Sequence, residues 1–334
     1  MPGHDIIVIG ASAGGVDALS KLVRELPSEL PAAIFIVLHV SANGRSLMAD
    51  ILNRVGPLKA VPAKDGEVIE HGHIYVAPPN SHLLIKRGYM RLSQGPKENC
   101  HRPAVDPLFR TAARAYGRRV VGVILSGTLD DGTAGLMAVK SRGGVAIVQN
   151  PEEAMFSGMP KSAINNVCVD HILPIAEIAP RLVQLADELV HDEAAEPVSE
   201  EIKLESDVAE FDRAAMERET QIGTPANLGC PTCGGTLWEH NAGHLLRFRC
   251  RVGHAWSPDS LIAQQSEAIE EALWTAFRAL EESSALSNRL ARRAQDRKQG
   301  LIAARFEDEA LQMKGQAEVI RKVLVNKDKH GYME

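Results

Sequence analysis

Apolar and polar positions divide the chain into a first part of short apolar runs and a second of charged, mixed stretches. Ile6-Ile7-Val8-Ile9 is a β-branched run closed by Gly10, which predicts a buried strand. Val16, Leu19 and Leu22-Val23 then recur at helical spacing. Ala33 to Leu38 predicts a second buried strand, closed by His39, and Ser46 to Val55 a helix. Shorter segments at 59–63, 73–77 and 83–86 are separated by Asp65-Gly66, His71-Gly72 and Pro78-Pro79-Asn80, with Arg87-Gly88 after the last. They predict small antiparallel pieces attached to a mainly parallel sheet. Asp106-Pro107 pairs an N-cap with proline at the first helical position and opens a helix carrying Leu108, Phe109, Ala112 and Ala113. A strand at 119–125, a helix from Thr133 to Lys140, a strand at 145–148 and a helix from Ile175 to Leu189 complete residues 1–190. This alternation predicts an α/β domain: a doubly wound, mainly parallel sheet covered on both faces through right-handed crossovers.

Beyond residue 190 the pattern changes. In 191–229 acidic residues outnumber basic ones severalfold, and Ile202, Leu204, Val208 and Phe211 are scattered among them. This reads as a solvated linker, pinned in part to the domain as a strand or short helix. At 230–256 a cysteine knuckle follows, and 257–334 is helical. Ser257-Pro258-Asp259 starts the first helix, with Leu261, Ile262, Ile269, Leu273, Phe277, Leu280, Leu286 and Leu290 as its apolar positions. Gly300 breaks it, and Leu301 to Val325 forms a second helix with Ile302, Phe306, Leu311, Val319, Ile320 and Val323. Two amphipathic helices of this length predict a helical hairpin or coiled coil that packs on itself, dimerises, or docks on a signalling partner.

The 334 residues carry a formal net charge of −6, which offers no general attraction to nucleic acid or anionic membrane. No apolar run is long enough to span a bilayer, and the first residues lack a basic region followed by an apolar one, so the expected location is cytoplasmic. Five cysteines, three of them clustered late, suit a reducing compartment with one metal site.

Three strand ends carry useful chemistry. Gly10-Ala11-Ser12-Ala13-Gly14 is a G-x-S-x-G turn between strand and helix, geometry that lifts a hydroxyl to the rim of a sheet beside a helix N-terminus. An anion-binding turn is its alternative, although Ser12 replaces the middle glycine of the dinucleotide fingerprint. His39 follows the second strand and Asp131 the strand at 120–125. Ligands of open α/β sheets bind past the carboxyl ends of the strands, so a serine, a base and a carboxylate can converge there. Against this, His39 can be a packed residue, and Asp131 can cap the helix that follows it. Asp106 reads as a cap, and His101 and Arg102 as salt-bridging or substrate-positioning residues. Cys100 and Cys168 read as ordinary thiols. Cys230-x-x-Cys233 with Cys250-x-x-x-His254 has the spacing of a structural, tetrahedral Zn²⁺ site, with His240 and His244 as reserve ligands.

With these residues in place, positions 5–188 resemble the catalytic domain of the chemotaxis protein-glutamate methylesterases. The matching stretches are Ile9 to Gly15, His39, Asp65-Gly66-Glu67, Tyr75 to Pro78, His101 to Asp106, Gly122 to Gly127, Asp131 to Gly135 and Gly158-Met159-Pro160. The resemblance implies Ser12 as nucleophile, His39 as general base and acid, and Asp131 as the residue that orients it. It implies hydrolysis of glutamate γ-methyl esters on chemoreceptor cytoplasmic helices, and deamidation of certain glutamines. Backbone amides of Ala13 and Thr128 are the expected oxyanion donors, at positions where the family commonly has threonine and, near the second, methionine. No cofactor is expected for catalysis. The family's N-terminal receiver domain has no counterpart before residue 5, which implies control through the linker, the tail or a separate receiver protein, with a methyltransferase as a further candidate partner. Rival readings are a non-catalytic regulator or scaffold and a nucleotide-binding module.

Overall fold

The computed structural model describes residues 3–41, 44, 46–190, 197–216 and 223–327. The chain divides into two units, Met1–Leu261 and Ile262–Glu334.

The first unit is built on β1 (Ile6–Ala11), α1 (Gly15–Arg24), β2 (Ala33–Leu38), α2 (Met48–Val55), β3 (Lys59–Pro62) and β4 (His73–Val76). It continues through β5 (His82–Lys86), β6 (Tyr89–Ser93), α3 (Val105–Tyr116), β7 (Val120–Ile124), α4 (Thr133–Ser141), β8 (Val145–Gln149), α5 (Gly158–Asn166), β9 (His171–Leu173) and α6 (Ile175–Asp187). Seven strands form one sheet in the order β3-β4-β2-β1-β7-β8-β9, every pair parallel. Here the expectation needs correcting: β3 and β4 are parallel members of the main sheet, and the antiparallel addition is the β5–β6 hairpin alone. Strand direction is set by the crossovers that join these strands, not by their own short apolar runs. α5 and β9 were not expected at all.

Alternation along β1 sends Ile7 and Ile9 into a core with Leu19, Leu22, Leu52 and Leu182, and Ile6 and Val8 into another with Leu108, Phe109 and Leu136. A strand apolar on both faces is what a central parallel strand requires. The strand order turns about β1, which lies between β2 and β7, so the crevice of this open sheet opens at its carboxyl end.

The acidic run at 191–196 lies outside the described residues. Beyond it, the solvated-linker reading is corrected. α7 (Glu200–Ala209) is capped by Ser199, whose Oγ accepts the Ile202 N–H at 3.2 Å, and it docks on α3. Asp207 pairs with Arg114 at 2.5 Å, and Glu205 is buried against Arg110 at 3.1 Å. After the short α8 (Arg213–Met216), the four strands β10 (Thr224–Gly229), β11 (Thr236–Ala242), β12 (Leu245–Cys250) and β13 (Ala255–Trp256) form an antiparallel ribbon in sequential order. The ribbon thus starts before the expected knuckle. It is joined to the α/β part by Asn99 N–H to Ala255 O at 2.9 Å and Ala255 N–H to Lys97 O at 3.2 Å.

The two last helices are α9 (Pro258–Asp296) and α10 (Gly300–Lys327). The break lies just before Gly300, at Lys298 with φ 58°, and Gly300 opens α10. Within Ile262–Glu334 the helices pack on each other, Ser284 Oγ donating to Ala310 O at 2.9 Å. Their seam is made of small residues, Ser284, Ser287, Ala291 and Ala294 against Ala303, Ala310 and Ala317, with Leu324 at its end. Of the large apolar residues expected to form it, Leu273, Phe277, Leu280, Leu290, Phe306 and Ile320 are half-buried, while Ile269, Leu286, Ile302, Leu311, Val319 and Val323 are exposed. Ser284, Ser287, Ala291 and Ala294 follow three-and-four spacing. Ala303, Ala310 and Ala317 recur every seven residues, with half-buried Phe306, Met313 and Ile320 three residues after them, a coiled-coil stripe whose most buried positions are small. Among the described residues no helix is long and apolar enough to cross a membrane.

Candidate active site

β1 runs straight into the serine turn. The Ser12 N–H donates to Ser126 O at 3.0 Å, and the Ser12 carbonyl accepts the Gly15 N–H at 2.9 Å. In a trans peptide the Ala13 N–H then points the opposite way from that carbonyl. Gly14, at φ 74°, is the N-cap of α1, and a Cβ there would fall 2.6 Å from Ser126 Oγ. A Cβ on Gly127 would strike the Met159 sulfur and lie 2.9 Å from Ser12 Cβ, so only glycine permits this approach.

His39 extends the β1–β2 pairing by one rung, its N–H donating to Ala11 O at 3.1 Å. This holds its imidazole over the serine. His39 Nδ1 lies 3.1 Å from Ser12 Oγ, and His39 Nε2 lies 2.7 Å from Asp131 Oδ2. Asp131 comes from the turn after β7 and is clasped by the start of α3. The Val105 N–H donates to Oδ2 at 2.7 Å, the Asp106 N–H to Oδ1 at 3.3 Å, and Asn99 Nδ2 to Oδ1 at 2.9 Å. Burial alone would raise this carboxyl's pKa. The hydrogen bond and charge of His39, the Val105 amide and nearby His101 outweigh it and hold Asp131 well below the usual carboxylate range. An ionised carboxylate only accepts, so Nε2 carries the ring proton and Nδ1 is the acceptor for the Ser12 hydroxyl. The ring is used in the reverse sense to the serine-protease arrangement. Asp131 caps α3, not the helix after it.

His101 stacks on the His39 ring, centroids 3.6 Å apart and planes 15° apart. Burial, with the neighbouring His39, lowers its pKa to about 4, so it is a neutral plate against that imidazole. The Arg102 guanidinium is spent on Asn80 Oδ1 and the carbonyls of Gln94 and Gly95. The N-cap of α3 is Ala104, and Asp106 is not its cap. Instead the Asp106 carboxylate accepts the Gly132 and Gly135 N–H groups at 3.1 and 2.7 Å, serving the first turn of α4.

Around the serine, the Gly127 N–H is spent on Phe156 O at 3.0 Å. Among the described residues no hydrogen bond occupies the Ala13 or Thr128 amide. Ser126, to which no role was assigned from the sequence, bonds the Ala13 carbonyl at 2.8 Å and accepts the Phe156 N–H at 3.0 Å. Asn99 and Arg247 were also missed. A local pattern could not reveal them, because their partners lie far along the chain.

In the ribbon, the ligand atoms of Cys230, Cys233, Cys250 and His254 all lie within 4.8 Å of one another. Cys233 Sγ and Cys250 Sγ are 3.7 Å apart, and His254 Nδ1 lies 3.8 and 3.5 Å from the sulfurs of Cys230 and Cys250. Metal–sulfur bonds of about 2.3 Å in a tetrahedron require edges of about 3.8 Å, so this donor set fits such an ion. The reserve ligands are not in the group: His240 Nε2 faces Glu205 at 3.6 Å.

A serine, an imidazole and a carboxylate in one hydrogen-bonded line at the carboxyl rim of a parallel α/β sheet make the arrangement of a serine hydrolase. Residues 7–182 match the CheB methylesterase family, and the chain belongs to that family. A Leptospira interrogans relative is 39% identical over 183 residues, covering 54% of this chain and 95% of its own length. The protein-glutamate methylesterase/protein-glutamine glutaminase of Hydrogenovibrio crunogenus is 37% identical over 188 residues, and enzyme 1 of that name from Geobacter metallireducens is 40% identical over 181. The chain spans about half the length of these two relatives, 50% of each. Among solved structures, the Thermotoga maritima CheB methylesterase catalytic domain is similar at TM-score 0.53 and 36% identity, covering 54% of this chain and 98% of that one.

Proposed function

We propose that the chain is a protein-glutamate methylesterase that hydrolyses glutamate γ-methyl esters on chemoreceptor cytoplasmic helices and deamidates certain glutamines there. The single observation that carries this reading is the unbroken line from Ser12 Oγ through His39 to Asp131, at 3.1 and 2.7 Å. His39 Nδ1 takes the Ser12 proton as Oγ attacks the ester carbonyl carbon, and Asp131 remains a carboxylate that steadies the imidazolium. The developing oxyanion is met by the Ala13 and Thr128 amides; one such donor is worth about 3–4 kcal/mol of barrier. Collapse breaks the carbon–methoxide bond, and the proton on Nδ1 leaves with methanol. His39 then deprotonates a water that attacks the acyl-enzyme carbonyl, and Ser12 departs with that proton, leaving the glutamate side chain. With a glutamine substrate the same cycle releases ammonia.

Cys230, Cys233, Cys250 and His254 would hold Zn²⁺ in a structural role, since four protein ligands leave no position for water. The assignment of 1–190 as the catalytic domain, 230–256 as the zinc-binding part and 257–334 as a helical interaction tail belongs to the same reading, as does a cytoplasmic location.

The test is methanol release from methylated receptor fragments, alongside labelling with a fluorophosphonate. Ser12→Ala should abolish labelling and lower methanol release by about 10⁴-fold or more, as for loss of a triad nucleophile. Labelling that persists in Ser12→Ala, or methanol release that survives it, removes the reading.

A further inference from the structure

The ribbon reaches the catalytic carboxylate through two side chains. Arg247 on β12 is buried and donates Nη1 to Asp106 Oδ2 at 2.7 Å. Asn99 Nδ2 donates to that same Asp106 Oδ2 at 2.9 Å and to Asp131 Oδ1 at 2.9 Å. The other end of the Asn99 amide is also fixed, because its Oδ1 accepts the Ser257 N–H at 3.1 Å, just past β13. The chain of contacts therefore runs Arg247, Asp106, Asn99, Asp131, His39, Ser12, with no step longer than 3.1 Å.

Resting on the methylesterase reading, we infer that Arg247 and Asn99 are positioning residues for Asp131, so that the ribbon, 116 residues downstream at Arg247, is built into the active site of the α/β part. Three observations carry this. First, the backbone at Asn99 and Cys100 is left-handed, with φ 48° and 71°, a conformation that costs energy for non-glycine residues and persists only where its surroundings over-determine it. Here the surroundings are Ala255, Ser257 and the two carboxylates. Second, the Asn99 amide has one usable orientation. Turned over, it would direct its oxygen at Asp106 and Asp131 and its NH₂ at the Ser257 N–H. Third, Asp106 and Asp131 are both buried and share the Asn99 donor at 2.9 Å; burial pushes the Asp106 carboxyl up, and the Arg247 guanidinium at 2.7 Å opposes it, favouring the carboxylate that accepts from Asn99.

Attachment of the ribbon does not need this path. Arg249 pairs with Glu205 at 2.9 Å and Glu98 at 3.8 Å, and neither carboxylate touches Asp131 in the line above. Arg249 is thus a control on the same strand.

The experiment measures fluorophosphonate labelling rate at Ser12 and steady-state methanol release in the full chain, with melting temperature recorded for every variant. Asn99→Ala and Arg247→Met should each slow labelling and lower kcat about tenfold, the rate equivalent of one lost hydrogen bond, with KM unchanged. The double variant should be no slower than the worse single one, because both break the same line. Arg247→Lys, which keeps a cation on Asp106, should recover most of the rate, and Arg249→Met should lower melting temperature without changing kcat. Folded Asn99→Ala protein that labels at the wild-type rate overturns the proposal. So do multiplicative losses in the double variant, or an Arg249→Met loss equal to that of Arg247→Met. If wild type labels at Ser12 while these variants match it, the relay fails and the esterase reading stands. If wild type does not label at all, the esterase reading fails first.

Discussion

Two polar regions of the first unit are assembled from distant parts of the chain, yet by different physics. On the rim, Ser12, His39 and Asp131 each follow a strand of one sheet, so backbone pairing alone delivers them to a common edge. Behind it, three carboxylates (Glu98, Asp106, Glu205) meet three guanidinium groups (Arg110, Arg247, Arg249) contributed by α3, α7, β12 and the loop before α3. No single framework places these six. Each is tolerable in the interior only because the others neutralise it, since desolvation opposes every one. Rim side chains can therefore be exchanged at the expense of rate and interior ones at the expense of folding, while Arg247, which reaches Asp131 through Asp106 and Asn99, bears on both.

The largest break in this contrast should come from the metal ligands. Structural zinc sites contribute apparent binding free energies of about 10 kcal/mol or more to the fold that holds them. Cys250 ends the strand that bears Arg247 and Arg249, and His254 leads into β13. Cys250→Ser, or treatment with a strong chelator, should unfold 224–256 and uncover Glu98, Asp106 and Glu205, while β1, β2 and β7 keep their protection. Hydrogen exchange resolved by segment checks it, with zinc content measured on the purified chain. Uniform loss of protection across the sheet would erase the distinction between the two regions.

Next in size is Arg110→Met. Arg110 Nη2 bonds Glu98 at 2.7 Å and Nη1 lies 3.1 Å from Glu205, all three nearly without exposure. Removing the cation leaves three buried carboxylates to the two guanidinium groups of Arg247 and Arg249, a loss of about 3–5 kcal/mol. Urea unfolding checks the magnitude. Substituting Arg110, Arg249, Glu98 and Glu205 together with apolar residues of similar size should cost less than Arg110→Met alone, because Arg247 keeps Asp106 and no guanidinium or carboxylate of the cluster is left unpaired.

The same contrast governs what could be read from the sequence. The convergence of Ser12, His39 and Asp131 was legible because each sits where an apolar run meets a turn, and the grouping of Cys230, Cys233, Cys250 and His254 because its spacing is local. The charged interior was not. Glu205 lay in an acidic stretch that looked solvated, since its partner Arg110 is 95 residues away, and nothing local marks Arg247, whose partner Asp106 is 141 residues away. The parallel direction of β3 and β4 and the alanine–serine seam of α9 and α10 escaped for a related reason. Hydrophobic spacing weights Leu, Ile and Phe, while the most buried positions of the seam are Ala and Ser.

The smallest effect separates two adjacent carboxylates. Asp131 has a ring N–H, an amide and Asn99 as donors, and is held ionised. Asp130 has the Ser257 hydroxyl at 2.7 Å, and burial, opposed by that bond, raises its pKa to about 7. A carboxyl whose pKa is higher in the folded state than its ordinary 3.8 keeps its proton while the unfolded chain loses it. Its stabilising contribution is therefore complete below about pH 4, shrinks as pH rises, and is gone above about pH 7. Asp130→Asn cannot titrate and keeps an acceptor for the Ser257 hydroxyl, so the variant should lose less stability than wild type between those values. Denaturant midpoints measured from pH 4 to 8 should show the two proteins diverging in favour of Asp130→Asn as pH rises. Parallel curves would mean that Asp130 titrates in the folded chain as it does in water, and that its neighbour's partners shield both.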